Sequence, residues 1–264
     1  MQFTDQLNRE IILEHFPNRI ISLVPSQTEL LADLGLEKEV IAITKFCIHP
    51  ESWFHSKERI GGTKMLDIEK IKSLKPDLII ANKEENEQAQ IEELMKTENV
   101  WISDIKNLDD ALEMIRGIGE ITGKKEKADF ISSKIKIHFE SFYAQMKDVS
   151  EKSVAYFIWK NPWMVAGKET FIDQMLTSCK LKNIFADRNE RYPEVTINEL
   201  GEKKPDVILL SSEPYPFSEK HSHLLKDVCT DSKIILVDGE MFSWYGSRLL
   251  KSPEYFFSLR TSID

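Results

Sequence analysis

The sequence predicts an α/β fold made of two Rossmann-like lobes with mostly parallel sheets, joined by one long helix. Three observations predict it. Short apolar runs alternate with helical patterns, one strand-free stretch lies near the middle of the chain, and a weak repeat relates the two halves. The 264 residues are enough for two modest domains, and 41% of them are hydrophobic. We expect an N-terminal lobe at 1–122, a connecting helix at 123–148 and a C-terminal lobe at 149–264.

Seven strands are expected where β-branched and other apolar residues form short runs. Because these runs are apolar on both faces, they are typical of strands that helices cover on both sides of a parallel sheet. The runs lie at 19–24, 40–44, 77–82, 100–103, 154–159, 206–211 and 233–238. The helical patterns between them favour parallel connections.

One long helix is expected at 124–147, where no strand-forming run occurs. Its apolar residues recur at spacings of three and four, from Ala128 to Met146. This spacing places them in a single stripe along about six helical turns. Strand-rich segments flank the helix, which therefore separates two lobes.

A weak internal repeat supports two lobes of related architecture. Residues 68–80 resemble residues 197–209: each segment has a short helix with an early glutamate, then Lys-Pro-Asp, then a strand. Proline ends the helix because its nitrogen cannot donate to the next turn. The two glutamates are Glu69 and Glu199.

Composition excludes several partners and compartments. The formal net charge is −9 and no long basic run occurs, which argues against nucleic acid and anionic membranes as main partners. The three cysteines are odd in number and widely spaced, so no disulfide framework is expected. The opening MQFTDQLNRE lacks the features of a signal peptide, and no run of about 18 apolar residues occurs. These features favour the cytoplasm unless an export leader has been removed.

No catalytic or nucleotide-binding motif is complete. The run Gly117-x-Gly119-x-x-x-Gly123 has one residue too many for a dinucleotide fingerprint and lies in a helical stretch. No nucleophile elbow and no H-E-x-x-H motif occur. We therefore expect a binding protein and not an enzyme. The enzymatic alternative is a hydrolase that depends on Cys47.

The segment after the second predicted strand carries candidate ligand-binding residues, namely Phe46, Cys47 and His49. In an extended chain Cys47 and His49 point the same way, and a thiolate and an imidazole are suitable ligands for zinc, copper or iron. The alternative is a buried cysteine beside a loop histidine that bonds to the backbone. Two ligands alone do not complete a metal site.

Two further loops carry polar candidates. Glu84 lies in the run 82–86 after the third predicted strand, where ligands of open α/β sheets bind. Lys64 ends a Gly-Gly-Thr-Lys loop, and we expect it to meet an anionic ligand. The alternatives are a solvated helix start, favoured by the helix dipole, and an ordinary tight turn.

Aromatic residues form the third group of candidates. Their flat faces suit a macrocycle or an aromatic chelate, and a nearby arginine is suited to pairing with a carboxylate or catecholate. The group consists of Trp159, Trp163, Tyr192, Trp244 and Tyr245, with Arg248 as the arginine. Each aromatic residue has an alternative role in the core. The pair His221 and His223 is expected in a polar, proline-containing loop at the surface.

These residues together resemble solute-binding proteins of ABC importers for ferric siderophores, haem and cobalamin. The resemblance covers about residues 5–260 and rests on Asp5, Leu7, Arg9, the runs 19–29, 74–79 and 166–169, and Arg248. The pattern C-x-H-P, G-G-T-K and N-x-E-E-N is most similar to the helical-backbone metal receptors. The family fold implies a ligand cleft between two lobes, with the connecting helix limiting hinge motion.

The resemblance also implies roles for the repeated glutamates. In the vitamin B12-binding relative, one glutamate on each lobe docks onto arginines of the permease, and Glu69 and Glu199 stand at the matching positions. The alternative is that both are ordinary surface glutamates.

The similarity to the B12-binding relative is partial in the ligand site. Phe46 and Tyr192 keep aromatic character at its ligand-contacting positions, whereas Thr63 and Asn82 replace two tryptophans. A smaller or more polar metal complex than cobalamin is therefore a reasonable expectation.

The sequence thus predicts a monomeric solute-binding protein that holds a metal chelate without turnover and delivers it to an ABC permease. The chelate is expected to be an iron–siderophore, haem or a corrinoid, with no covalent cofactor and no nucleic acid as partner. The family implies a periplasmic or cell-surface location. The alternative is a cytoplasmic cofactor-binding, metal-binding or sensory protein that uses the same cleft.

Overall fold

A computed structural model describes all 264 residues, Met1–Asp264. The strands form two five-stranded sheets and one two-stranded sheet, and helices connect them. The chain divides into two compact units by its internal contacts. Unit 1 consists of residues 1–105, 109–136 and 245–250, and unit 2 consists of residues 106–108, 137–244 and 251–264. The predicted α/β class with mostly parallel sheets is confirmed.

The first half of the chain holds seven strands and the first six helices. The strands are β1 (Gln2–Thr4), β2 (Glu10–Ile12), β3 (Ile20–Ser22), β4 (Val40–Ile43), β5 (Glu58–Arg59), β6 (Leu78–Asn82) and β7 (Val100–Ser103). The helices are α1 (Pro25–Asp33), α2 (Glu51–Ser56), α3 (Ile68–Ser73), α4 (Gln88–Leu94), α5 (Leu108–Ile121) and α6 (Lys125–Met146).

The main sheet of unit 1 has the order β5-β4-β3-β6-β7, and all of its neighbouring strands are parallel. Every residue of β3, β6 and β7 is buried, as expected for strands covered on both faces. β1 and β2 form a separate antiparallel pair. The buried carboxylate of Asp5 ties the turn after β1 to the sheet, because its Oδ2 accepts from the N–H of Ile102 at 3.1 Å.

The second half of the chain holds five more strands and the remaining helices. The strands are β8 (Lys152–Trp159), β9 (Met164–Val165), β10 (Leu181–Asn183), β11 (Val207–Ser211) and β12 (Lys233–Val237). The helices are α7 (Phe171–Ser178), α8 (Ile197–Lys203), α9 (Glu219–Lys226), α10 (Glu240–Ser243), a 3-10 helix (Ser247–Leu250) and α11 (Ser252–Ile263).

The sheet of unit 2 has the order β10-β8-β11-β12 in parallel, and β9 pairs antiparallel with β8. All seven predicted strands are confirmed, with ends that differ by at most two residues. The strands β1, β2, β5, β9 and β10 were not predicted. Each of them has only two or three residues, which is too short to show a periodic pattern.

The long helix predicted at 124–147 is confirmed as α6. Its predicted apolar stripe is buried throughout and consists of Ala128, Ile131, Ile135, Phe139, Phe142 and Met146. By internal contacts, the change from unit 1 to unit 2 falls at 136/137 within this helix. The boundaries that we placed at 122 and 148 stay predictions.

Glycine in α5 allows close helix packing and not cofactor binding. A Cβ atom on Gly119 would lie 2.2 Å from the Cβ of Ala128 on α6, so any side chain there would force the helices apart. The glycine run that resembles a dinucleotide fingerprint therefore has a packing role at this position.

The internal repeat extends to local geometry. Asp67 caps α3 by accepting from the N–H of Lys70 at 3.0 Å, and Thr196 caps α8 by accepting from the N–H of Glu199 at 3.1 Å. The lysine before each proline has left-handed backbone geometry, with φ of 46° at position 75 and 44° at position 204.

The aspartate after each proline binds the start of the neighbouring central strand. Asp77 Oδ2 accepts from the N–H groups of Asn18 and Arg19 at 2.8 and 2.9 Å. Asp206 Oδ2 accepts from the N–H and the hydroxyl of Ser153 at 2.7 and 2.6 Å. The Lys-Pro-Asp motif therefore sets strand register in the same way in both units.

No helix combines the length and the apolar character that crossing a membrane requires.

Candidate functional site

Three loops meet at the carboxyl edge of the unit 1 sheet. They follow β4, β5 and β6 and comprise residues 45–50, 61–66 and 82–87. Because the carboxyl ends of parallel strands lie at one edge, these loops are neighbours in space. We call them together the unit 1 wall.

The second and third loops of the wall form one hydrogen-bonded structure. Lys64 Nζ donates to the backbone oxygens of Glu84 and Asn86 at 2.6 and 3.3 Å. In return, Asn86 Nδ2 donates to the backbone oxygen of Thr63 at 3.1 Å. The Gly-Gly-Thr-Lys and Asn-x-Glu-Glu-Asn motifs are thus partners, and the observed contacts of Lys64 are structural. Its contact with an anionic ligand stays a prediction.

The first loop packs directly on the second. The N–H of Lys45 donates to the oxygen of Gly61 at 2.9 Å. A Cβ atom on Gly62 would lie 3.1 Å from Phe46 Cε2, so the absence of a side chain at position 62 makes room for the aromatic ring. Phe46 remains 51% exposed, and Lys45 Nζ lies 5.0 Å from its ring centroid. Phe46 is therefore held in place with one face available.

Cys47 lies inside the unit and not on the face of the wall. Its Sγ is fully buried, 3.1 Å from the hydroxyl oxygens of both Thr28 and Thr44, and burial raises the pKa of the thiol. The N–H of Cys47 donates to the oxygen of Thr44 at 3.2 Å and closes a turn, so the chain is not extended here. His49 is half-buried on the same loop.

No group of three or more histidine, cysteine, aspartate and glutamate side chains is arranged to hold a metal ion. Direct ligation by Cys47 and His49 stays a prediction. A metal that arrives as a chelate brings most of its donors with it, and such a ligand needs no complete protein site.

Two exposed apolar residues of the wall were not predicted. Met65, at the tip of the second loop, is 79% exposed, and Ile48 is also exposed. Isolated apolar residues in loops have no sequence period, so nothing in the sequence marks them. With Phe46 they give the wall three exposed apolar side chains, which lie among the exposed charged residues Lys45, Lys64, Lys83 and Glu87.

Arg248 pairs with Glu29 within unit 1. Its Nε lies 2.9 Å from Glu29 Oε2 and its Nη2 lies 2.9 Å from Oε1, and the side chains are only 8% and 14% exposed. Burial raises the pKa of Glu29, while the guanidinium opposes that shift. Its pairing with a ligand carboxylate stays a prediction, as does ligand contact by the buried Tyr245.

An aromatic cluster lies near the carboxyl ends of β8 and β11 in unit 2. Trp163 and Phe217 stack with ring centroids 5.9 Å apart, and Tyr215 lies 4.8 Å from Phe217. Trp159, which is partly exposed, extends the cluster with its ring 5.6 Å from Tyr215. The prediction of an aromatic group includes two of these four residues.

The expectation that His221 lies at the surface is wrong. It is 2% exposed, and its ring packs against Tyr215 and Phe217. The N–H of Ser218 donates to its Nδ1 at 3.0 Å, and Tyr215 Oη lies 3.2 Å from Nε2. Burial lowers the pKa of His221, which favours the neutral ring. His223 is exposed as expected, but both histidines lie on helix α9 and not in a loop.

The other two aromatic candidates of unit 2 lie outside the described rings. Tyr192 is half-buried on the loop before Pro193. Trp244 is buried, and its Nε1 donates to Glu213 Oε1 at 2.9 Å. Burial raises the pKa of Glu213. Ligand contacts by Tyr192 and Trp244 stay predictions.

The two repeated glutamates occupy equivalent positions with different surroundings. Glu69 is exposed in the first turn of α3. Glu199, in the first turn of α8, is half-buried and forms an ion pair with Arg188. The glutamate at this helix position is therefore exposed in unit 1 and paired with an internal cation in unit 2.

Comparison with known proteins gives a family match over most of the chain. Residues 20–231 match the sequence profile of the periplasmic binding protein family. A vitamin B12-binding protein of Pectobacterium carotovorum is 25% identical over 255 residues, which are 94% of this chain and 90% of that protein. An uncharacterized ABC transporter substrate-binding lipoprotein of Bacillus subtilis is 28% identical over 214 residues, 78% of this chain and 67% of the other.

A solved structure shows the same fold. The periplasmic vitamin B12-binding protein of Vibrio cholerae superposes with a TM-score of 0.82 at 22% identity, covering 94% of this chain and 98% of that structure. The two-unit α/β architecture is therefore shared along nearly the whole length.

Proposed function

Because this chain belongs to the periplasmic binding protein family, we propose that it is the solute-binding component of an ABC importer for a metal chelate. The proposal names an iron–siderophore, haem or a corrinoid as the ligand class. Relatives named as a vitamin B12-binding protein and an ABC transporter substrate-binding lipoprotein support it. We include a location outside the cytoplasmic membrane in the proposal, and the lipoprotein among these relatives supports it.

The observation that carries the proposal is the set of three exposed apolar side chains on the unit 1 wall. Phe46, Ile48 and Met65 are exposed on loops that hydrogen bonds and a glycine contact hold in place. Exposed apolar groups on a rigid edge of a parallel sheet are typical of a preformed small-molecule site. Ligand contact by Trp163 of the aromatic cluster in unit 2 stays a prediction. Whether one ligand contacts both units stays a prediction of the family resemblance.

Binding without turnover is the second part of the proposal. A nucleophilic cysteine needs access and a lowered pKa, whereas Cys47 is fully buried and burial raises the pKa of its thiol. This chemistry argues against the hydrolase alternative. An assay with a chromogenic ester tests it, and a burst of product that Cys47→Ala abolishes would contradict the proposal.

Ligand binding is tested by titrating the protein with haem, cyanocobalamin and a ferric catecholate siderophore, with tryptophan fluorescence as the readout. We expect one of the three to bind with a dissociation constant in the micromolar range or below, and Phe46→Ala to weaken it by about tenfold through lost apolar contact. The matched control is Phe16→Ala, because Phe16 is 48% exposed but packs on Gly123 away from the wall. Equal losses in both variants would contradict a ligand site at the wall.

Permease docking through Glu69 and Glu199 is the third part of the proposal. Both residues lie in the first turn of the repeated helix, and arginines are the expected partners on the permease. Arg188 already pairs with Glu199, so this internal cation competes with any external one. Glu69 is therefore expected to contribute more to docking than Glu199.

Docking is measured by surface plasmon resonance with the permease–ATPase complex, from the same gene cluster, in nanodiscs. We expect Glu69→Gln to weaken binding more than Glu199→Gln, and Arg188→Gln to strengthen it. Glu202→Gln is the control, because Glu202 is exposed on the same helix as Glu199. Cell fractionation separates this function from the alternative of a cytoplasmic cofactor-binding or sensory protein.

A further inference from the structure

Unit 1 contains a cavity of about 310 Å³ behind the third loop of the wall. Asn82 and Asn86 form one side of it, and α4 and the segment after β1 form others. Its apolar lining consists of Leu7, Ile91, Met95 and Ile102. This volume lies at the lower end of the range for small-molecule sites, so it suits a ligand smaller than haem or cobalamin.

One charged donor faces this cavity from a fixed position. Arg9 lines it, and its Nε and Nη2 donate to Asp5 Oδ2 at 3.0 and 2.5 Å. Nη2 also donates to the oxygen of Val100 at 2.9 Å. Asp5 is itself held by the N–H groups of Leu7 and Arg9. The guanidinium plane therefore cannot turn without breaking a buried network.

The remaining nitrogen of Arg9 has a poor partner. Nη1 lies 2.8 Å from the thioether sulfur of Met95, which also lines the cavity, and this contact is at the solvent-exposed rim. A thioether is a weak acceptor, so a charge-assisted donor gains by exchanging it for an oxygen. This nitrogen is the polar anchor that the cavity offers to a ligand.

The other polar groups at the rim are engaged with one another. Lys83 Nζ pairs with Asp104 at 2.7 Å, and Gln88 Nε2 donates to Glu92 Oε1 at 2.7 Å. Arg9 already balances the charge of Asp5, and Glu92 adds a negative charge near the rim. The local field therefore disfavours an anion and favours a neutral acceptor.

We propose that this cavity is a second binding site, which takes a small, uncharged and mainly apolar molecule with one carbonyl oxygen. The carbonyl accepts from Arg9 Nη1 in place of Met95, and the apolar part packs on Leu7, Ile91 and Ile102. The cavity shares the third loop with the wall, but none of the exposed apolar residues Phe46, Ile48 and Met65 lines it. Its occupant would lie directly behind the loop whose carbonyl oxygens hold Lys64.

The test uses 4-phenylbutan-2-one as probe and methyl NMR of the full-length protein. We expect saturable shifts of the methyl groups of Ile91, Met95 and Ile102, with a dissociation constant of about 1 mM or lower. The charged analogue 3-phenylpropionate should bind several-fold more weakly. Absence of shifts at these methyls, or tighter binding of the carboxylate, would overturn the proposal.

Two variants locate the site. Met95→Trp fills the rim of the cavity and should weaken binding of the probe by roughly tenfold or more. Leu224→Trp, at a similarly exposed apolar position in unit 2, is the matched control and should leave it unchanged. Far-UV circular dichroism confirms that both variants fold. The three chelates are titrated against the same variants. If Met95→Trp binds the chelate with unchanged affinity, the cavity and the proposed chelate site are tested independently of each other.

Discussion

The two units share a scaffold but differ in the loops at the carboxyl edge of their sheets. In both, a capped short helix, a left-handed lysine, a proline and a strand-binding aspartate lead into the strand beside the central one. At the carboxyl edge, however, unit 1 has polar loops joined by hydrogen bonds, and unit 2 has stacked aromatic rings. The repeated segment thus sets the strand register in both units, whereas the loops at the carboxyl edge determine the chemistry of each surface.

Two buried glutamates show the same contrast. Glu29 in unit 1 faces the guanidinium of Arg248, whereas Glu213 in unit 2 accepts from Ser243 Oγ and Trp244 Nε1 at 2.5 and 2.9 Å. Burial raises the pKa of both carboxyl groups. Only Glu29 has a cation that opposes this shift, so removing that cation should destabilise unit 1, whereas removing the charge of Glu213 should stabilise unit 2.

The largest expected effect is in unit 1. Arg248→Met leaves the largely buried carboxylate of Glu29 without its cation and should lower the free energy of unfolding at pH 7 by about 3 kcal/mol. Chemical denaturation measures it. Glu58→Gln is the control, because Glu58 pairs with Lys70 at an exposed site and should change stability by less than about 1 kcal/mol. A similar, small loss in both variants would remove the distinction between the units.

The opposite sign is expected in unit 2. Glu213→Gln keeps an oxygen that accepts from Ser243 and Trp244 but removes a desolvated charge, so stability at pH 7 should rise by about 1 kcal/mol. The pKa of Glu213 is higher in the folded protein than in the unfolded chain. The protonated carboxyl group therefore contributes its full stability at pH values below the unfolded-state pKa. This contribution is lost as the pH rises through the folded-state pKa.

The gain from Glu213→Gln should therefore vanish in acid and grow toward neutral pH. Denaturation midpoints of both proteins across this range check it. A gain that is constant with pH would show that charge desolvation is not its cause.

The smallest expected effect tests the shared scaffold. Asp77→Ala and Asp206→Ala each remove an acceptor at the start of a central strand and should each cost roughly 0.5–1 kcal/mol. Hydrogen exchange of the amide groups of Asn18 and Ser153 reports the local loss in each unit. A large loss of stability in one unit and none in the other would mean that the two segments are similar in sequence but do not share a structural role.

Much of the fold could be predicted because its signals are local. The seven predicted strands and α6 follow from apolar runs and from spacings of three and four, which persist whatever the surroundings. The short strands β5 and β9 escaped prediction because two residues carry no period. For the candidate site, only the neighbourhood of the loops can be compared: Phe46, Lys64 and Glu84 lie on neighbouring loops at one edge, and their contact with a ligand stays a prediction.

The roles of individual side chains could not be predicted in this way. Whether Arg248 is available to a ligand depends on Glu29, which lies more than 200 positions earlier in the chain. His221 looked polar and exposed in sequence, yet aromatic rings bury it. Burial and pairing are set by residues distant in sequence, and a local pattern contains no information about them.

The sequence by itself determined the alternation of strands and helices, the duplicated Lys-Pro-Asp unit and the resemblance to a binding-protein family, because each depends on residues close together in the chain. Only the tertiary structure decided that Lys64 supports a loop, that Cys47 is enclosed and that Arg9 faces a cavity beside Met95. Those outcomes depend on contacts between residues that are distant in the chain, and such contacts form only when the segments pack in the folded protein.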